Sequence, residues 1–139
     1  MKSADAEPWK GKQMPASAAF AANPGHTITL TPEPSRVQIL FKGTLVADTV
    51  RAIRLQEASY PACLYVPRAD CWMEYFIETA HLTNCPFKGT ARYWTLKTKE
   101  GEAVNAVWGY DDPFDQMAAI DGHAAFYPDK VEIRTGAVS

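Results

Sequence analysis

The chain has 139 residues, 47% of them hydrophobic, enough for one compact domain with its own core and short for two. Its 14 basic and 16 acidic residues are spread along the length and leave a formal charge of −2, which argues against a nucleic-acid partner, since such surfaces concentrate Lys and Arg on one face. The three cysteines, an odd number without a CxxC pair, fit neither a disulfide framework nor a zinc ribbon, and no apolar run approaches the ~20 residues that span a bilayer.

The opening residues lack the apolar stretch of a signal peptide, so a cytoplasmic location without a membrane partner is expected. Residues 1–25 read as an extended N-terminal arm, rich in Ala, Lys, Pro and Ser, with Trp9, Met14 and Phe20 as isolated apolar residues. Disordered tails tend to lack aromatics, so the arm is expected to lie along its own domain or a neighbouring subunit. A single β-rich domain is expected over residues 26–139. After a turn at Pro24-Gly25, residues 26–31 alternate polar and apolar like a strand, and Pro32 and Pro34 stop it. Val37, Ile39 and Phe41 alternate in the same way, Lys42-Gly43 turns, and residues 44–48 return as a hairpin. Ile53 and Leu55 lead to Glu57, and residues 63–66 form another short strand closed by Pro67.

From Arg68 the pattern changes. Asp70 is placed to cap a helical turn in which Trp72 and Met73 lie over Phe76 and Ile77. Pro86 and Gly89 then make a sharp turn, after which Trp94 and Leu96 share one strand face and Ala91, Tyr93 and Thr95 the other. A polar tip at residues 99–102 returns through Val104, Ala106, Trp108 and Tyr110, the clearest hairpin in the chain. Asp112-Pro113 predicts a short helix that ends at Gly122, with Met117 and Ile120 three apart. Residues 124–127 and 131–133 predict a last hairpin around Pro128-Asp129-Lys130. The fold class is therefore mainly β: two small antiparallel sheets, or one strongly bent sheet, with one or two short helices.

Candidate chemistry concentrates at the central turn. Cys85 and Lys88 sit three residues apart, and an ammonium near a thiol favours the nucleophilic thiolate, although cysteine is also a common small core residue. Glu57, at the end of an apolar strand, is a candidate tuned acid or the partner of a fixed ion pair. Arg68 and Lys88, each at a loop edge, are candidates to meet an anionic ligand. Tyr65, Tyr93, Trp108 and Tyr110 lie on or beside neighbouring strands, where they would wall a pocket for a flat ligand or fill a core. His26, His81, His123, Cys63, Cys71 and Cys85 lack the close pairing of a structural zinc site, so no metal or other cofactor is expected. Lys88-Gly89-Thr90 reverses the order of a phosphate-binding loop and precedes a strand rather than a helix.

Across residues 37–127, the segments Phe41-Lys42-Gly43, Val46-Ala47-Asp48, Leu55-Gln56-Glu57, Tyr65-Val66-Pro67-Arg68-Ala69-Asp70, Trp108-Gly109-Tyr110 and Gly122-His123-Ala124-Ala125-Phe126-Tyr127 occur in order around Thr83-Asn84-Cys85-Pro86-Phe87-Lys88-Gly89-Thr90-Ala91-Arg92-Tyr93-Trp94. Together they resemble the family called domain of unknown function 427, with the long N-terminal arm as the main departure. The resemblance implies a β-rich fold similar to the β-tent group, which includes methionine-R-sulfoxide reductases and the thalidomide-binding domain of cereblon. Many β-tent proteins hold zinc with two cysteine pairs, and those pairs do not occur in this chain. The family has also been labelled nucleotidyltransferase-like; paired carboxylates after a Gly-Ser turn, which two-metal phosphoryl transfer would need, are not present in the sequence.

The expected function is binding of a small anionic or aromatic molecule in a cleft lined by Glu57, Arg68, Cys85, Lys88, Tyr93 and Tyr110, with Trp108 in its wall. Two alternatives stand beside it: an enzyme, either with Cys85 as its thiol or nucleotidyltransferase-like, and a structural module that forms a homo-oligomer through the arm or a sheet edge.

Overall fold

The computed structural model describes residues 17–136, and the arm residues Trp9 and Met14 lie outside them. The described chain opens on a short helix, α1 (Ala18–Ala22), and not on the extended segment expected there. The reason is local: Ala-Ala-Phe-Ala-Ala is a strong helix former, and Ser17 caps it by accepting from the Ala19 N–H at 3.2 Å. Next come β1 (Ile28–Pro32), β2 (Arg36–Phe41), β3 (Thr44–Thr49), β4 (Ile53–Glu57) and β5 (Cys63–Pro67). The β2–β3 hairpin turns on Lys42 and Gly43, both at positive φ (47° and 84°), the turn that matches the twist of the flanking strands.

The single helical turn expected around Asp70 is two separate 3₁₀ turns, Arg68–Asp70 and Met73–Tyr75. Asp70 caps neither turn; its carboxylate accepts from the Thr49 hydroxyl at 2.7 Å and from Arg51. Phe76 and Ile77, expected on a helix face, begin a ten-residue strand, β6 (Phe76–Cys85), whose pairing with β7 (Gly89–Thr98) outweighs the short helical periodicity. β8 (Gly101–Tyr110) completes the long hairpin. The helix expected from Pro113 is a kinked 3₁₀ segment that starts at Asp115, since Phe114 is extended (φ −59°, ψ 155°) and its N–H is taken by the Lys88 carbonyl.

The last two strands are β9 (His123–Phe126) and β10 (Glu132–Gly136), and they do not form the expected hairpin. Both edges of β9 are already occupied, one by β5 and the other by β8, so the chain leaves the sheet after the turn and β10 pairs with β2. Two antiparallel sheets result, one of seven strands in the order β1-β4-β5-β9-β8-β7-β6 and one of three in the order β10-β2-β3. No helix among the described residues is long and apolar enough to cross a membrane.

The three-stranded sheet covers one face of the larger one. Val37, Ile39 and Phe41 of β2 and Val46 of β3 meet Val66, Leu96, Val107 and Phe126 of β5, β7, β8 and β9 in the first core cluster. A second cluster lies on strand positions of opposite parity: Leu55, Tyr65, Ala91, Tyr93, Tyr110 and Ala125, joined by Met117 and Ile120 of the 3₁₀ segment and by Phe20 of α1. Beside the first cluster, β8 carries extra residues opposite Thr95, with Asn105 at φ 52°. The Thr95 hydroxyl of β7 accepts from the Asn105 N–H, and the Thr79 hydroxyl of β6 donates to the Asn105 side chain, so the irregularity is pinned by two strands on the same side of β8.

Gly109 marks the tightest crossing in the sheet. A Cβ there would lie 2.4 Å from the His123 carbonyl oxygen and 3.1 Å from Arg68 Nη1, whereas a Cβ on Gly25 meets nothing within 4 Å. Gly109→Ala is expected to cost about 3 kcal/mol and Gly25→Ala less than about 0.5 kcal/mol. Urea unfolding of the two variants checks this, and equal midpoints would contradict it.

Candidate functional site

Strand parity builds the site. On β4, Ile53, Leu55 and Glu57 alternate, so a carboxylate follows two apolar side chains on the same side. On β5 the same face carries Cys63 and Tyr65, on β7 Tyr93, and on β8 Trp108 and Tyr110. The strand order β4-β5-β9-β8-β7 sets these residues side by side, and all but Ile53 line an open cleft of about 290 Å³ together with Tyr60, Lys88 and Tyr127.

Lys88 reaches the cleft from the turn between β6 and β7. Gly89 follows at φ 117°, a backbone conformation that glycine adopts without the strain a side chain would bring. Lys88 Nζ donates to Glu57 Oε1 at 2.7 Å, and His26 Nε2 hydrogen-bonds Glu57 Oε2 at 2.8 Å. The pair is substantially removed from water, with side chains 11% and 21% exposed. Burial alone would raise the Glu57 carboxyl, but the hydrogen bonds and charges of Lys88 and His26 together outweigh it and hold the group below its usual value. His26 in turn stacks on Phe87 at 4.1 Å, and Phe20 meets Phe87 edge-on at 5.1 Å. Ser17 ties α1 to the same turn by donating to the Pro86 carbonyl at 2.5 Å.

The remaining lining is phenolic and indolic. Trp108 Nε1 donates to the Tyr65 hydroxyl at 3.2 Å, and the Tyr127 ring lies 4.6 Å from that of Trp108. The Tyr93 hydroxyl hydrogen-bonds Thr83 at 3.0 Å and also contacts the Tyr127 hydroxyl. The Tyr110 hydroxyl has no hydrogen-bond partner among the described residues, and burial raises its pKa well above the ordinary tyrosine value, so it remains a donor. Burial likewise pushes the Cys63 thiol up to about 11, against the opposing charge of Lys88.

Of the candidates read from the sequence, Glu57, Lys88, Tyr93, Trp108 and Tyr110 line this one cleft. Cys85 sits just behind it, with its sulfur 3.9 Å from Lys88 Nζ. Arg68 is a correction: it does not join Lys88. Its guanidinium pairs with Asp111, donates to the His123 carbonyl at 3.1 Å and stacks 5.0 Å from the Trp94 ring. Arg92 approaches the same indole at 4.9 Å and also pairs with Asp111 and Glu78. The cause is parity, because Trp94 is buried on the opposite side of β7 from Tyr93. The sequence reading placed neither His26 nor Tyr60 and Tyr127 at the site. The link from His26 to Glu57 depends on the pairing of β1 with β4, which skips over the β2–β3 hairpin and leaves no local signal. Among the described residues, no three His, Cys, Asp or Glu side chains converge in a way that could hold a metal ion.

The fold and site define a mainly β domain of two antiparallel sheets, with an aromatic cleft that encloses one ion pair. The chain belongs to the family described as Domain of unknown function (DUF427), whose model matches residues 29–136 and so contains every cleft residue named above apart from His26. The nucleotidyltransferase-like label attached to this family is a name only, and the matched fold is β-rich. A comparison with curated proteins finds no match.

A carboxyl whose folded pKa lies below its unfolded value contributes stability above the unfolded value of about 4.3, and loses it as pH falls through the folded value. Wild-type stability is therefore expected to decline from about pH 5 downward. Glu57→Gln should decline less steeply over that window, with the remaining slope carried by Asp48, Asp70 and Asp111, which are also held below their usual values. Urea midpoints measured between pH 3 and 7, as a rough working range for this titration, check this, and parallel curves would contradict it.

Proposed function

We propose that the protein is a small-molecule-binding domain whose ligand occupies the cleft between the Glu57–Lys88 pair and the aromatic wall of Tyr65, Trp108 and Tyr110. The observation that carries this reading is the convergence of a partly desolvated ion pair, a phenol without a hydrogen-bond partner among the described residues, and tilted and edge-on aromatic rings on one concave surface. A pocket of this composition gives a flat ligand ring faces to stack on and polar groups that fix its orientation. Of the two ligand classes suggested by the sequence, the pairing favours the aromatic one, since the charge of Lys88 is already balanced by Glu57.

A second reading keeps one specific support, the 3.9 Å approach of Lys88 Nζ to the Cys85 sulfur, which suits a thiol-dependent reaction at the edge of the cleft. Iodoacetamide labelling against pH separates the two readings. Cys85 that alkylates only as pH enters the ordinary thiol range near 8.5 removes the thiol reading.

The binding reading is tested by thermal unfolding against nucleobases, nucleotides, aromatic acids, sugar phosphates and coenzymes. A ligand at a hundredfold excess over its Kd stabilises the folded state by about 2.7 kcal/mol, which raises the midpoint by several degrees. The shift is expected to vanish or shrink in both Lys88→Ala and Tyr110→Phe. Cooperative unfolding with no shift for any compound would overturn the proposal.

A further inference from the structure

We infer that the ligand of this cleft is a neutral planar heterocycle that presents an N–H donor beside a C=O acceptor, the lactam edge of an oxo-substituted ring. The inference rests on the binding reading above and names the chemistry that the same residues would recognise.

The first argument is charge. Among the described residues, Glu57 and Lys88 are the charged side chains that line the cleft, and they face each other at 2.7 Å. The guanidiniums of the neighbouring strands are committed elsewhere, Arg54 of β4 to Glu33, and Arg68 and Arg92 to Asp111. A charged ligand would find no net complement here. To gain one it would have to separate the pair and strand the other ion in a partly desolvated site. A neutral ligand leaves the pair intact.

The second argument is unused hydrogen-bonding capacity. A carboxylate offers about four acceptor positions and an ammonium three donors. Glu57 uses one position for Lys88 and one for His26, and Lys88 uses one donor for Glu57 and makes only a long contact to Cys85. An open acceptor and an open donor therefore stand side by side. A ring with N–H next to C=O satisfies both at once, its N–H on Glu57 and its oxygen on Lys88. Tyr110 adds a further donor, since its hydroxyl has no partner among the described residues and burial keeps its proton in place.

The third argument is shape. Tyr65 and Trp108 meet edge to face at 6.4 Å, and Tyr127 leans over Trp108 at 4.6 Å, so the wall offers ring surface for stacking. A volume of about 290 Å³ stands at the lower end of the range for ligand pockets, which suits one ring or two fused rings.

The test follows the indole N–H resonance of Trp108, assigned through Trp108→Phe, during titration of the full chain. The probes are 2-pyridone and hypoxanthine, N-methyl-2-pyridone, which keeps the ring and carbonyl but lacks the N–H, and the charged aromatics benzoate and benzyltrimethylammonium. Inosine beside hypoxanthine distinguishes a nucleoside source from a free base, and binding of either supports the inference. The expected result is that a lactam probe moves the Trp108 signal and binds at least ~10-fold more tightly than N-methyl-2-pyridone, with a ~10-fold loss in Tyr110→Phe. Equal binding of the N-methyl compound, or binding of benzoate or the ammonium in place of the lactams, overturns the ligand class and leaves the cleft reading standing. No movement of the Trp108 signal with any probe overturns both.

Discussion

A sheet that is apolar on both faces must be covered on both, and the seven-stranded sheet meets that requirement unequally. On one side β10, β2 and β3 lay a second sheet over it and close a core around Val37, Ile39, Leu96 and Val107, each essentially inaccessible to solvent. On the other side the cover among the described residues is α1 and the short 3₁₀ segment, too little to span the whole face. The uncovered part is the cleft. Its aromatic lining continues the second core cluster, to which Tyr65, Tyr93 and Tyr110 belong, out to Trp108 and Tyr127, which are partly exposed.

The ion pair at its edge brings distant parts of the chain into one network. Lys88 belongs to the β6–β7 turn and Glu57 to the end of β4, and their bond spans the width of the open face. Two charges with little access to water are costly unless each is matched, and the match here includes His26 on the second carboxylate oxygen. His26 is held by its stack on Phe87, and Phe87 by Phe20, so the orientation of the carboxylate depends on a helix that precedes the first strand. The N-terminal segment is in this sense part of the wall of the site.

Much of this was legible in the residues, for reasons that can be stated one by one. Strand alternation at Val37, Ile39 and Phe41, and again at Trp94 and Leu96 against Tyr93, assigned faces correctly because each of these strands is buried on at least one side. The Cys-Pro-Phe-Lys-Gly turn was visible because Pro and Gly restrict the backbone directly. β6 was hidden because its side chains are mostly exposed and leave no apolar alternation, so a short helical spacing at Trp72, Met73, Phe76 and Ile77 had no competing signal. β10 was assigned to the wrong partner for a different reason. Local sequence cannot show that both edges of β9 are taken by strands far away in the chain. The same blindness to long-range pairing concealed His26 and placed Arg68 beside Lys88.

The misplacement of Arg68 also explains how the site retains its charge balance. Tyr93 and Trp94 are adjacent in sequence and point to opposite faces of β7, so the strand presents a phenol to the cleft and an indole to the core. The indole draws both Arg68 and Arg92 to its ring, and Asp111 pairs with each guanidinium. Gly109 makes that arrangement fit, since any side chain there would strike the His123 carbonyl and crowd Arg68. Two strong cations are thereby kept on the side of the sheet away from Lys88, and among the described residues the carboxylate of Glu57 has one ammonium and one imidazole as hydrogen-bond partners. The polarity of the cleft is therefore set as much by what the opposite face retains as by the residues that line it.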